Sequence, residues 1–230
     1  MVATLYLIRH GETEGSGAQR YLGSVDVPLS EKGIQQIRDV SAFIQEDLRT
    51  LSAAQRQSYL KEIHRASYAD KKSDVTGGTL QAVYSSDLSR ALKSGQIVAE
   101  PHALRVTVVS QLRERSFGIW EGMTFSEIRE TYPAEFESWA GNPLKYSPPG
   151  GESTMRVRER VILALDIILK NHKADRIAII AHGGVNRIIL CDLLGIPLEN
   201  IFRIEQNHGA LNIIEFWDNY PVVKLMNGVP

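Results

Sequence analysis

The chain has 230 residues, 43% of them hydrophobic and 23% charged, enough for one large domain with a substantial core or at most two small ones. Its 26 lysines and arginines against 27 acids give a formal charge of -1, which excludes an overall basic field for nucleic acid or an anionic membrane, so any attraction to anions must be local. The lone cysteine, Cys191, excludes an internal disulfide and a cysteine-rich zinc site and fits a reducing, cytoplasmic compartment.

TLYLI at 4–8 is short, apolar and rich in β-favouring residues, and it reads as a first strand that stops at Arg9, His10, Gly11 and Glu12. No basic region precedes it and no later run nears membrane-spanning length, so the expectation is a soluble, unprocessed chain. After Ser30, apolar residues at Ile34, Ile37, Phe43, Ile44 and Leu48 recur with helical periodicity. The stretch 47–80 is polar, with a capping-box pattern at 52–55 that predicts a short helix to Ser67, and it reads as an insertion serving as a lid or a surface feature. AVYSS at 82–86 is a second strand, followed by a helix over Leu88–Ala99 that starts after Asp87, and RVTVV at 105–109 is a third. A second insertion spans 123–153, opening with a capping box at Thr124 to Glu127 and dense in aromatics, proline and glycine. Val157, Val161, Leu165 and Ile168 mark a helix capped by Ser153, RIAIIA at 176–181 a fourth strand, and LNIIEF at 211–216 and VVKLM at 222–226 two more.

Strands alternating with helices, several strands being continuously apolar, predict a mostly parallel sheet covered on both faces: a three-layer α/β/α sandwich formed by residues 1–230 as a single domain. In such sheets ligands bind beyond the carboxyl ends of the strands. There the sequence places Arg9 and His10, Arg90 about one turn into its helix, Glu114 just past the third strand, and His182 ahead of Gly183 and Gly184 at a helix start. Two guanidiniums and a helix N-terminus make an anion site suited to a phosphoryl group. A neutral imidazole among them can attack phosphorus if its other nitrogen donates to a backbone carbonyl, which a tight turn at Gly11 would supply. A nearby carboxylic acid can protonate the leaving oxygen and then activate water.

LIRHGETE, SSDLSRA, LRERSFGIWEG and AHGGV, in this order, resemble the histidine phosphatase superfamily, also called phosphoglycerate mutase-like, over nearly the whole chain. The resemblance implies His10 as phosphorylated nucleophile, Arg9, Arg90 and His182 as phosphate ligands, Glu114 as proton donor and acceptor, and no metal or other cofactor. It carries Gly23 onto a backbone contact with the phosphoryl group, with Gly183 beside it. At the position where many members carry asparagine, this chain has Ser16, which can donate one hydrogen bond. The stretch from Phe117 to Ser153 looks most like the α-ribazole phosphatase branch, which acts in cobalamin nucleotide-loop assembly, and RSFGIWEG departs from the mutase form.

The resulting expectation is a metal-independent phosphomonoesterase acting on a small alcohol phosphate, α-ribazole 5'-phosphate being the best single guess. The alternatives are a phosphoglycerate mutase, a broad-specificity phosphatase, and a phosphate-sensing or protein-binding module. Other readings stand beside these assignments: Arg90 paired with Asp87 on an exposed helix, Glu121 as rival acid, and His208 as either a pocket residue or a structural hydrogen-bond partner. Trp120, Trp139, Tyr132 and Tyr146 fit either an aromatic wall for a nucleoside-like substrate or core packing. An aromatic-rich segment can also face a partner subunit, so a homodimer stays open.

Overall fold

The computed structural model describes residues 2–18, 20–50, 79–217 and 220–230. Its centre is a six-stranded sheet built from β1 (Val2–Arg9), β2 (Ala82–Ser85), β3 (Val106–Val108), β4 (Arg176–Ala181), β5 (Leu211–Trp217) and β6 (Tyr220–Gly228), in the order β3-β2-β4-β1-β5-β6. The first four in that order run parallel, while β5 is antiparallel to β1 and β6 antiparallel to β5. Described helices are α1 (Glu31–Thr50), α2 (Ser89–Ala99), α3 (Phe125–Thr131), α4 (Pro133–Gly141), α5 (Thr154–Asn171) and α6 (Gly183–Leu194).

The period-two alternation of the central strands sorts their side chains into two cores. Leu5, Leu7, Ile177 and Ile179 face α5 and α6 through Val157, Val161, Leu165, Val185 and Ile189. Tyr6, Ile8, Ala178 and Ile180 face α1 and α2 through Ile37, Val40, Ile44, Ala91 and Val98. This is the expected three-layer arrangement. No helix among the described residues is long and apolar enough to cross a membrane.

Several local expectations shift. Phe43 is 40% exposed, because Ile37, Val40, Ile44 and Leu48 form the buried stripe of α1 and Phe43 lies off it. The helix α1 continues through Thr50, so the start of the supposed first insertion is helical, and the rest of that segment with its capping box at 52–55 lies outside the described residues. Asp87 does not start α2: the extended residue before the helix is Leu88, and Asp87 instead accepts from Arg113 Nε and Nη2 at 2.6 and 2.5 Å. The free N-terminal amide of Ser89 is satisfied from another loop, by Asp26 Oδ1 at 2.8 Å. The other described caps hold, Ser30 Oγ accepting from Gly33 N at 3.0 Å, Thr124 and Glu127 exchanging bonds reciprocally and Ser153 Oγ accepting from Arg156 N at 3.2 Å.

Candidate active site

Strand register places the first two functional side chains. Parallel pairing of β1 with β4 ends at Arg9 opposite Ala181, and His10 N still donates to Ala181 O at 3.1 Å. His10 and His182 therefore leave neighbouring strands side by side, with ring centroids 5.1 Å apart in an edge-on arrangement. On the next strand Ser86 continues β2, and its Oγ lies 2.7 Å from His182 Nε2.

His10 is buried, and its Nδ1 lies 2.7 Å from Gly11 O. A carbonyl only accepts, so Nδ1 carries the proton and Nε2 keeps its lone pair. Burial, reinforced by His182, Arg9 and Arg90, pushes His10 well below the usual histidine range. The imidazole is thus neutral, in the tautomer that a nucleophile needs. Gly11 thus supplies the expected carbonyl partner, and it also permits a close approach. A Cβ at Gly11 would lie 2.2 Å from Gly33 O, and one at Gly33 would lie 2.0 Å from Glu12 O, so the loop and α1 cross in backbone contact.

Arg9 donates from Nη1 to Gln206 O at 2.5 Å and from Nη2 to His208 Nε2 at 2.8 Å. Burial lowers the guanidinium to about 10, against the attraction of Glu114, so it stays charged near neutrality. Because a guanidinium only donates, His208 accepts as neutral imidazole, and burial followed by the Arg9 charge lowers it to about 4. The His208 ring also lies 5.6 Å from that of His10, which makes it part of the pocket's inner layer.

Arg90 is the second residue of α2, nearer the helix start than the expected full turn, and only 2% exposed. Its Nη1 donates to Val25 O and its Nη2 to Gly23 O, both at 2.7 Å, which replaces the exposed pairing with Asp87. Gly23 sits at φ +51° with no room for a Cβ, which would meet Glu121 Oε1 at 2.6 Å. Its carbonyl holds Arg90, so the backbone contact expected with a phosphoryl group can involve only its N–H.

Glu114 lies on the loop after β3, its Oε1 accepting from Arg115 N at 2.8 Å and its Oε2 from Gly184 N at 3.0 Å, at the start of α6. Its charge is felt favourably by both Arg9 and Arg90. Gly183 packs against the Arg9 guanidinium, and a Cβ at Gly184 would lie 2.6 Å from Glu114 Oε1, so the second glycine of the pair is the more tightly constrained. His182 is fully buried and pushed well below the usual histidine range by burial, then by Arg90 and Arg9. Ser86 Oγ pairs with His182 Nε2 at 2.7 Å, and the ring's Nδ1 is buried. That atom and Arg9 Nε have no hydrogen-bond partner among the described residues, and the Arg9 Nε–H is a buried donor that an anion would satisfy.

Glu121, the rival acid, is a loop anchor. Its Oε1 accepts from Ser24 N at 3.0 Å, Ser24 Oγ at 2.7 Å, Phe117 N at 3.0 Å and Ser116 Oγ at 3.2 Å. Burial would raise this carboxyl, but the bonds from Ser24, Phe117 and Ser116 outweigh it and lower the pKa. Ser16 occupies a 3-10 turn over Ser16–Ala18, its N donating to Thr13 O at 3.2 Å, and the structure gives its hydroxyl no bond to the other described site residues. Trp120 is 3% exposed and packs on Tyr146 at 6.1 Å and Trp139 at 6.3 Å, which makes Trp120 a core residue while Trp139 and Tyr146 stay partly exposed.

Ser86, Gly184 and Gln206 belong to the site but were not singled out from sequence. Ser86 had a signal, a hydroxyl directly after a strand at the ligand edge, whereas the Gln206 carbonyl is invisible to any side-chain pattern. Among the described residues no three His, Cys, Asp or Glu side chains gather as metal ligands.

Residues 5–67 and 55–228 match the sequence model of the histidine phosphatase superfamily (branch 1). Phosphoserine phosphatase 1 of Hydrogenobacter thermophilus is 27% identical over 223 residues, spanning 97% of this chain and 91% of that protein. The adenosylcobalamin/alpha-ribazole phosphatase of Escherichia coli is 23% identical over 223 residues, spanning 97% and 95%. Among solved structures, Bacillus stearothermophilus YhfR aligns with a TM-score of 0.77 at 27% identity, covering 99% of this chain and 98% of that one.

Proposed function

The chain belongs to the histidine phosphatase superfamily, branch 1, and from that membership and the site's geometry we propose that it hydrolyses a small alcohol phosphate through a phosphohistidine at His10. The observation that carries this reading is the 2.7 Å contact between His10 Nδ1 and Gly11 O, which leaves Nε2 unprotonated in a buried pocket between two arginines. Arg9, Arg90, His182 and the N–H groups at the start of α6, apart from that of Gly184, which Glu114 holds, bind the phosphoryl oxygens. His10 Nε2 attacks phosphorus and forms the N–P bond as the ester P–O bond breaks, and Glu114, which takes up a proton as the ester binds, gives that proton to the departing alkoxide. Glu114, now a carboxylate, then takes a proton from water as the water oxygen attacks phosphorus, releasing inorganic phosphate and free His10.

For the alcohol itself, α-ribazole 5'-phosphate is the sequence-based guess, supported by the likeness to the Escherichia coli relative. Phosphoserine is the competing candidate, supported by the likeness to the Hydrogenobacter protein. The deciding experiment measures phosphate release from both esters, 3-phosphoglycerate, sugar phosphates and a nitrophenyl phosphate, with His10→Ala as control. Release that vanishes in the variant supports the reading and the preferred ester names the substrate class. Conversion of 3-phosphoglycerate that depends on a bisphosphate primer would make it a mutase, and a wild-type protein that binds phosphate without turnover would make it a binding module.

A further inference from the structure

Glu114 has to be held to within a fraction of an ångström of the leaving oxygen to work as an acid, yet it belongs to no helix or strand. It lies between a 3-10 turn ending at Leu112 and another beginning at Gly118. Such a loop needs a rigid partner, and that partner comes from α5.

The Arg160 guanidinium gathers the carbonyls of this loop. Its Nη1 donates to Gln111 O at 2.6 Å and Arg113 O at 2.8 Å, and its Nη2 donates to Glu114 O at 3.2 Å. Its Nε and Nη2 also grip Glu152 Oε1 and Oε2, both at 2.8 Å, in a two-pronged fork. Glu152 in turn secures the chain on the other side of Glu114. Its Oε2 accepts from Ser116 N at 3.1 Å, its N donates to Ser116 O at 2.9 Å, and its carbonyl accepts from Arg115 Nε at 2.6 Å. Glu114 is therefore clamped from both flanks, and the pair that joins the two flanks is half-buried, at 21% and 27% exposure.

We propose that Arg160, acting with Glu152, is the positioning residue that aims Glu114 at the leaving oxygen. Every N–H of the fork is used in this arrangement, and the carbonyls it joins are spread across the loop. A lysine offers one compact ammonium and cannot span them, so charge alone does not replace the fork. This proposal rests on the reading of Glu114 as proton donor.

The test compares Arg160→Lys, Glu114→Gln and the double variant on two esters, a nitrophenyl phosphate whose phenol leaves unaided and an alkyl phosphate whose alkoxide needs a proton. Arg160→Lys is expected to lower kcat/KM, which reports the phosphorylation step and not the later attack of water, by roughly tenfold or more on the alkyl ester and by less than about threefold on the nitrophenyl ester. The same change made on top of Glu114→Gln should cost little further on the alkyl ester, because the group it positions is gone. An equal loss on both esters, or a double variant that multiplies the single losses, overturns the proposal. If circular dichroism shows Arg160→Lys unfolded, Glu152→Gln, which keeps the size and one acceptor oxygen, is read on the same two esters, and an equal loss on both again overturns the proposal. A failure of the underlying reading looks different: the wild type would hydrolyse neither ester, or Glu114→Gln itself would show no dependence on the leaving group.

Discussion

His10 and His182 stand at matching positions of adjacent parallel strands, one residue beyond the Arg9–Ala181 pair, and their rings meet edge-on at 5.1 Å. The spacing between the proposed nucleophile and anion ligand is thus a property of strand register, held by the two buried cores, and owes little to loop conformation. A slip of one residue would turn every side chain of β1 to the opposite face, so the fold that buries Leu5, Leu7, Tyr6 and Ile8 also fixes the site.

Ser86→Ala removes the only protein partner that the described residues give the His182 ring, whose Nδ1 already lacks one. The expected loss is about 1–3 kcal/mol in urea unfolding, the range for stranding a buried polar group. Phosphate release should fall with it, since His182 no longer keeps its orientation, and unchanged turnover would show that Ser86 does not set the ring.

Gly33→Ala places a methyl 2.0 Å from Glu12 O, backbone against backbone, where no side chain can move aside. A destabilisation of roughly 3 kcal/mol or more is expected, beyond the usual range for overpacking. Gly141→Ala is the control: it ends α4 with nothing within 4 Å of the added methyl, and should be neutral or stabilising by about 0.5–1 kcal/mol. Thermal or urea unfolding of both variants checks the contrast.

Acid should weaken the fold through its buried histidines. His10, His182 and His208 all have folded values below the ordinary 6.5, in each case with burial as the largest cause. Between the folded and unfolded values the unfolded chain binds more protons, so stability is complete above about 6.5 and declines as pH falls, the His208 share being lost down to about 4. Melting at pH 7 and pH 5 should show a lower Tm at pH 5, and His208→Gln, which can still accept from Arg9, should reduce the difference. An equal Tm at both pH values would contradict the neutral histidines.

Chelation should leave the rate unchanged, since the proposed chemistry is carried by His10, Glu114 and the two arginines. Phosphate release measured with and without EDTA is the check. A rate lost on chelation and restored by a divalent metal would overturn the mechanism.

Much of this was readable from the sequence where the signal was periodic. Apolar runs located all six strands, and the position of Arg9, His10, Arg90, Glu114 and His182 just past strand ends brought them together on one edge, as the sheet required. What stayed hidden was set by contacts distant in sequence. Nothing local distinguishes Glu114 from Glu121, and only the folded chain brings Ser24 and Phe117 onto Glu121 and Gly184 onto Glu114. The use of Asp26, not Asp87, at the start of α2 was hidden for the same reason, since Arg113 competes for Asp87 from beyond β3.

The grip on Arg90 links the phosphate pocket to its own rim. The carbonyls of Gly23 and Val25 hold the guanidinium, Ser24 between them is fastened to Glu121, and Tyr21 exchanges backbone bonds with Gly122 and Met123. Any remodelling of the 115–124 turn to admit a different alcohol therefore pulls on the arginine proposed to hold the phosphoryl group. In this enzyme a change of substrate range and a change in affinity for bare phosphate are mechanically tied, and selection or engineering aimed at one will register in the other.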